Sequence, residues 1–81
     1  MPTLVTKNKD WVESLVRQYP NILSTLSPRS ELIMCYLYFE KKSVNEIAIR
    51  FSVTCTRINQ IHRKSLRVLR MREKYIANFS D

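Results

Sequence analysis

Residues 43–70 read SVNEIAIRFSVTCTRINQIHRKSLRVLR, and they decide the fold. Ser43 stands three residues before Glu46. At that spacing a serine hydroxyl accepts the glutamate amide, and the carboxylate reaches back to the serine amide. A helix begun there carries Val44, Ile47, Ala48 and Phe51 on one face. Ser52-Val53 breaks the pattern. Thr54 is placed to cap a second helix, whose inward stripe is Ile58, Ile61, Ser65, Val68 and Leu69. Two helices, a turn of about three residues and a strongly basic second helix predict a helix-turn-helix.

Outward from this unit, the charge is one-sided. The chain has 81 residues and a formal net charge of +7. Residues 1–40 are neutral, because Lys7, Lys9, Arg17 and Arg29 balance Asp10, Glu13, Glu31 and Glu40. The whole excess falls on residues 41–81, and Arg57, Arg63, Lys64, Arg67, Arg70, Arg72 and Lys74 crowd a single helix. A basic helix suits a solvated face, acidic lipid or nucleic acid; beside a helix-turn-helix, duplex phosphate is the preferred partner.

On the N-terminal side, residues 1–8 read as a loose lead. Asp10 is placed to cap a helix through Trp11, Val12, Leu15, Val16 and Tyr19, which Pro20 stops or bends. Asn21 to Leu26 reads as one or two helical turns. Ser27-Pro28 starts the next helix, with serine as cap and proline at the first helical position. From Pro28 to about Glu40 that helix is apolar on most sides, which predicts the central core helix. Lys41-Lys42 is the exposed link to Ser43. The basic helix is expected to run on to Tyr75 and Ile76, with Asn78 to Asp81 fraying.

The fold class predicted is all-α: one domain, a four- to five-helix bundle with a C-terminal helix-turn-helix. Residues 9–40 supply the core and residues 43–76 the helix-turn-helix with an extended second helix. Glycine is absent, and no alternating run is long enough for a good strand. No apolar run approaches the ~20 residues needed to span a bilayer, and no secretory apolar segment opens the chain, so a cytoplasmic protein is expected. Cys35 and Cys55 read as two buried or incidental thiols rather than a disulfide. His62, on the basic helix, reads as a surface or phosphate-contacting histidine. Trp11, Tyr36, Tyr38 and Phe39 read as core aromatics. One histidine and two separated cysteines give no zinc spacing, no residues assemble a catalytic triad and no glycine-rich loop cradles a nucleotide. Neither an enzyme nor a cofactor is expected.

Residues 26–70 resemble region 4 of the bacterial sigma factors. The resemblance rests on Leu26-Ser27-Pro28-Arg29, Tyr38-Phe39-Glu40, Ser43 with Glu46-Ile47-Ala48, Val53-Thr54, Arg57 with Gln60-Ile61, and Ser65-Leu66 with Leu69-Arg70. The LuxR-type helix-turn-helix shares only the first half of this pattern. The resemblance implies a protein of bacterial or phage transcription that places Thr54 to Ser65 in the major groove of the upstream promoter element. Thr54, Cys55, Thr56, Arg57, Asn59, Gln60, Arg63, Lys64 and Arg67 are then the DNA-binding candidates. It also implies a hollow for the flap tip of the RNA polymerase β subunit, between residues 11–19 and 32–39. Trp11, Leu15, Leu32, Tyr36 and Leu37 are the candidates for it.

Three departures from the family pattern matter. Primary-type sigma factors carry Arg and Glu after the turn threonine, where Cys55 and Thr56 stand here. Arginine grips guanine with two hydrogen bonds and glutamate accepts from cytosine, whereas cysteine and threonine do neither. Ser52 replaces the usual turn glycine, which predicts a turn built differently. No segment resembles region 2, so the chain is either a fragment or a free-standing domain, which could work with a separate region-2-like partner. The alternative function is an adaptor or antagonist that engages RNA polymerase or another transcription protein with little specific DNA contact.

Overall fold

The computed structural model describes residues 3–79. Four α-helices and one 3₁₀ turn follow in order: α1 (Leu4–Gln18), the 3₁₀ turn (Ile22–Thr25), α2 (Pro28–Tyr38), α3 (Val44–Phe51) and α4 (Cys55–Phe79). Among the described residues the fold is all-α, with the predicted helix-turn-helix at its C-terminal end.

The first correction is at the start of the chain. α1 begins at Leu4, not after Asp10, and residues 4–8 of the expected loose lead are helical. Thr3 is the cap, its Oγ1 accepting the Thr6 amide at 3.1 Å. Asn8 is buried and donates Nδ2 to the Leu4 carbonyl at 2.9 Å, which ties the first turns down. Met1 and Pro2 lie outside the described residues. α1 ends as expected, since the residue before Pro20 is pushed out of helical geometry; Tyr19 sits at φ −131°, ψ 81°.

Ser27 caps α2, with Pro28 in its first turn. Ile33, Met34, Tyr36, Leu37 and Tyr38 are all buried, because α1, the 3₁₀ turn, α3 and α4 all pack around this helix. It is the central helix that its apolar run predicts. Phe39 is the exception: it falls just past the helix end and is 44% exposed, so it is not a core aromatic.

α3 opens with the predicted capping box. Ser43 Oγ accepts the Glu46 amide at 3.1 Å, and Glu46 Oε1 accepts the Ser43 amide at 3.4 Å. Its end corrects the turn prediction, because Ser52 adopts the left-handed conformation (φ 56°, ψ 43°) despite its Cβ. The Val53 amide returns to the Ala48 carbonyl at 3.0 Å, closing a Schellman-type end. Val53 packs on the core, offsetting a strain of about 1 kcal/mol. Thr54 then caps α4 by accepting the Arg57 amide at 3.1 Å.

α4 has 25 residues, so it is about 37 Å long. It runs unbroken through Phe79, further than expected; Ser80 and Asp81 of the tail expected to fray lie outside the described residues. Its inward stripe is Ile58, Ile61, His62, Ser65, Leu66 and Leu69, all buried, while Val68 is only half-buried. Cys35 and Cys55 are free thiols, both half-buried. No helix among the described residues is long and apolar enough to cross a membrane.

Candidate nucleic-acid interface

α4 advances about 100° per residue, so burying one stripe dictates what faces out. Opposite the core stripe, Thr56, Arg57, Asn59, Gln60, Arg63, Lys64 and Arg67 are all exposed. Thr56, Gln60, Arg63 and Arg67 form a ridge; Arg57 and Lys64 flank it on one side, Asn59 on the other. Glu73 is the single carboxylate of α4, and it lies beyond this ridge. Thr54, also exposed, spends its hydroxyl on the helix cap.

Cys55 stands apart from the ridge. It is half-buried, and its Sγ donates to Asn45 Oδ1 at 2.7 Å, which pins the first residue of α4 to α3. It braces the turn rather than joining the outward ridge. Arg70 is likewise engaged. Its guanidinium lies 4.6 Å from the centre of the Trp11 ring and donates to Asn8 Oδ1 at 3.1 Å. The Trp11 indole N–H donates to Glu73 Oε1 at 3.2 Å. α1 and α4 are thereby clasped together by the side chains of Asn8, Trp11, Arg70 and Glu73.

His62 overturns its surface reading. It is 1% exposed, and its Nε2 lies 2.6 Å from Tyr38 Oη. Burial, with Arg63 as a second cause, pushes the imidazole down to about 4. Burial pushes the Tyr38 phenol up to about 12. The sequence held a signal for this, because Ile58, His62, Ser65 and Leu69 follow one another at helical spacing along the inward stripe.

Three of the five residues expected to line a polymerase hollow between α1 and α2 are packed into the core. Leu15, Tyr36 and Leu37 are core residues, between 1% and 9% exposed, because α2 is wrapped on most sides. Trp11 is held in the clasp with α4. Of the five candidates only Leu32 stays open, at 42% exposure. An apolar hollow of about 400 Å³ opens between the first half of α1, the end of α2 and the start of α3. Val5, Leu37, Tyr38 and Val44 line it, with Lys9, Lys41 and Lys42 at its edge. No group of metal-ligating side chains occurs among the described residues.

A family model described as sigma-70, region 4 matches residues 22–71. No curated protein and no solved structure gives a significant match. The matched span covers the 3₁₀ turn, α2, α3, the Ser52 turn and α4 as far as Met71, and it exceeds half of the chain. The chain therefore belongs to the sigma-70 region 4 family, whose members are DNA-binding helix-turn-helix domains of transcription.

Proposed function

We propose that this domain binds promoter DNA with α4 in the major groove, and meets RNA polymerase through an apolar surface that includes α2. The observation that carries the reading is the ridge of α4. Arg57, Arg63, Lys64 and Arg67 surround Asn59 and Gln60 on one exposed face with no carboxylate within it. Cations of this kind hold phosphates, while asparagine and glutamine pair with adenine edges. A polymerase contact is supported by exposed Leu32 in the middle of α2 and Phe39 at its C-cap, and by the apolar hollow beside Leu37 and Val44. The flap tip of the β subunit is the partner the family implies.

The adaptor reading keeps one specific support. With Cys55 committed to Asn45 and Thr56 short, the first turn of α4 has neither of the base-reading groups usual in the family. Two measurements decide between the readings. In a selection from random duplexes, enrichment of a single motif supports promoter reading. Recovery of RNA polymerase from bacterial lysate without any enriched motif supports the adaptor.

A further inference from the structure

The hollow of about 400 Å³ between α1, α2 and α3 has an apolar lining and a cationic rim. The buried Leu37 and Tyr38 and the half-buried Val5 and Val44 supply the apolar part. Its volume falls in the range of small-molecule sites, about 300–1,000 Å³, which are lined mainly by such side chains. A helix, about 10 Å across, would lay only about one turn into it.

The charge around the hollow has one sign. Lys9, Lys41 and Lys42 line it and no carboxylate does; Asp10, Glu40 and Glu46 are close in sequence and lie outside it. The two link lysines are held in place. Lys41 keeps a left-handed backbone (φ 54°), unfavourable for a residue with a Cβ, and the Lys42 amide is fixed on the Tyr36 carbonyl at 2.8 Å. The first turns of α1 and α3 also border the hollow, through Val5, Thr6 and Val44, so two helix N-termini add partial positive charge to the three ammonium groups. Ser43, in the same rim, accepts the Glu46 amide on its Oγ and keeps its own proton to donate. An apolar interior under a cationic, donor-rich rim is complementary to a molecule with an apolar body and an anionic head.

We infer that this hollow binds a small amphiphilic carboxylate, a free acid with a chain of medium length. Its chain lies against Val5, Leu37, Tyr38 and Val44, and its head sits among the lysines. The inference goes beyond the promoter and polymerase readings and rests on neither. The site also touches the joint to the recognition helix, because the Tyr38 phenol oxygen lies 2.6 Å from Nε2 of His62.

The test is an amide NMR titration of the whole chain with decanoate, kept below its micelle concentration. Acetate supplies the head without the chain, and decyltrimethylammonium supplies the chain with the opposite charge. The expected result is saturable shifts at Val5, Thr6, Leu37, Tyr38 and Val44 with decanoate, and none with acetate at the same concentration. Decyltrimethylammonium should bind at least about tenfold more weakly, since attraction to three lysines becomes repulsion. Signals of the buried His62 ring should move with decanoate, because the chain rests on Tyr38. Lys9→Gln and Lys42→Gln should each weaken decanoate by about threefold, the scale of one exposed charge pair, and leave the melting temperature unchanged. Equal binding of the cationic amphiphile would overturn the carboxylate class. Shifts that follow every lysine and arginine while the His62 ring stays still would overturn the site. Absence of decanoate shifts would do the same; if an acidic, leucine-rich peptide then moves these amides, the occupant is a protein segment instead. No DNA enters the titration, so its outcome is independent of the promoter reading.

Discussion

The phenol oxygen of Tyr38 lies 2.6 Å from Nε2 of His62, and both side chains are sealed from solvent. This bond joins the end of α2 to the inner face of the recognition helix, one residue before Arg63. The two rings also meet edge to face at 5.4 Å. With the imidazole held neutral and the phenol holding its proton, the consistent arrangement is Tyr38 O–H donating to an unprotonated Nε2.

Stability should therefore fall in acid. The folded imidazole titrates near 4 against about 6.5 in the unfolded chain, so the unfolded state takes up the proton first. The contribution is complete above pH 6.5 and lost as pH falls toward 4, to a total of at most about 3 kcal/mol. Tyr38 has the opposite sense: its contribution is present below pH 10 and lost as pH rises toward 12. Urea midpoints measured across pH should fall on both sides of this window. In His62→Leu the acid limb between pH 6.5 and 4 should flatten. In Tyr38→Phe, which leaves Nε2 buried and unpaired, stability at pH 7 should drop by about 1–3 kcal/mol.

Arginines of the same helix should behave differently toward DNA. Arg63 and Lys64 are exposed on the ridge, whereas Arg70 is held by Trp11 and Asn8. Four to six phosphate contacts would give a log–log salt slope of roughly −4 to −5, at about 0.9 per phosphate. Arg63→Ala with Lys64→Ala should flatten that slope by up to about two contacts' worth. Arg70→Ala should leave it nearly unchanged but cost about 1–2 kcal/mol of stability, through the lost ring contact and hydrogen bond. A slope near zero in the parent chain would falsify phosphate binding as the role of α4.

Base reading should centre on Gln60. It sits on the ridge among the cations, and its amide can pair with adenine N6 and N7. Gln60→Ala should cost about 1–3 kcal/mol on the selected site and little on random duplex. Equal losses on both would leave Gln60 a phosphate or packing residue. Replacing Thr56 with glutamate should shift the selected bases toward cytosine contacts. The same attempt at Cys55 must first break its bond to Asn45.

What the sequence made legible follows from local physics. The Ser43–Glu46 box, the Ser27-Pro28 start and the Thr54 cap depend on spacings within one helix, and all stand as read. Long-range choices were harder to read. Asn8 and Arg70 are 62 positions apart, and no local pattern tells that an asparagine in an apparent lead anchors a distant guanidinium. Leu15 and Leu37 look the same in sequence whether they floor a groove or fill a core; the packing of α2 on most sides decides for the core. Ser52 shows the reverse case, where two backbone bonds and the packing of Val53 hold a residue in a conformation its own preference resists.

The polymerase contact should depend on residues that the core does not need. Leu32 and Phe39 are seven positions apart, both more than two-fifths exposed, and the half-buried Cys35 lies between them. That spacing puts them on one face, in the middle of α2 and at its C-cap, within residues 1–40, which carry no net charge. A helix laid along such a face would bury apolar area without displacing any residue of the core. Titration with an isolated β-flap peptide should shift amides around Leu32, Phe39 and the hollow of Val5 and Val44, while those of Thr56 to Arg67 stay quiet. Leu32→Glu and Phe39→Glu should each weaken the peptide by tenfold or more, about 1.4 kcal/mol, with little change in melting temperature. Leu15→Ala and Leu37→Ala should instead destabilise the fold by about 2–5 kcal/mol. If both glutamate variants bind the peptide as well as the parent, α2 is not the contact, and the lysine-edged hollow becomes the surface to mutate.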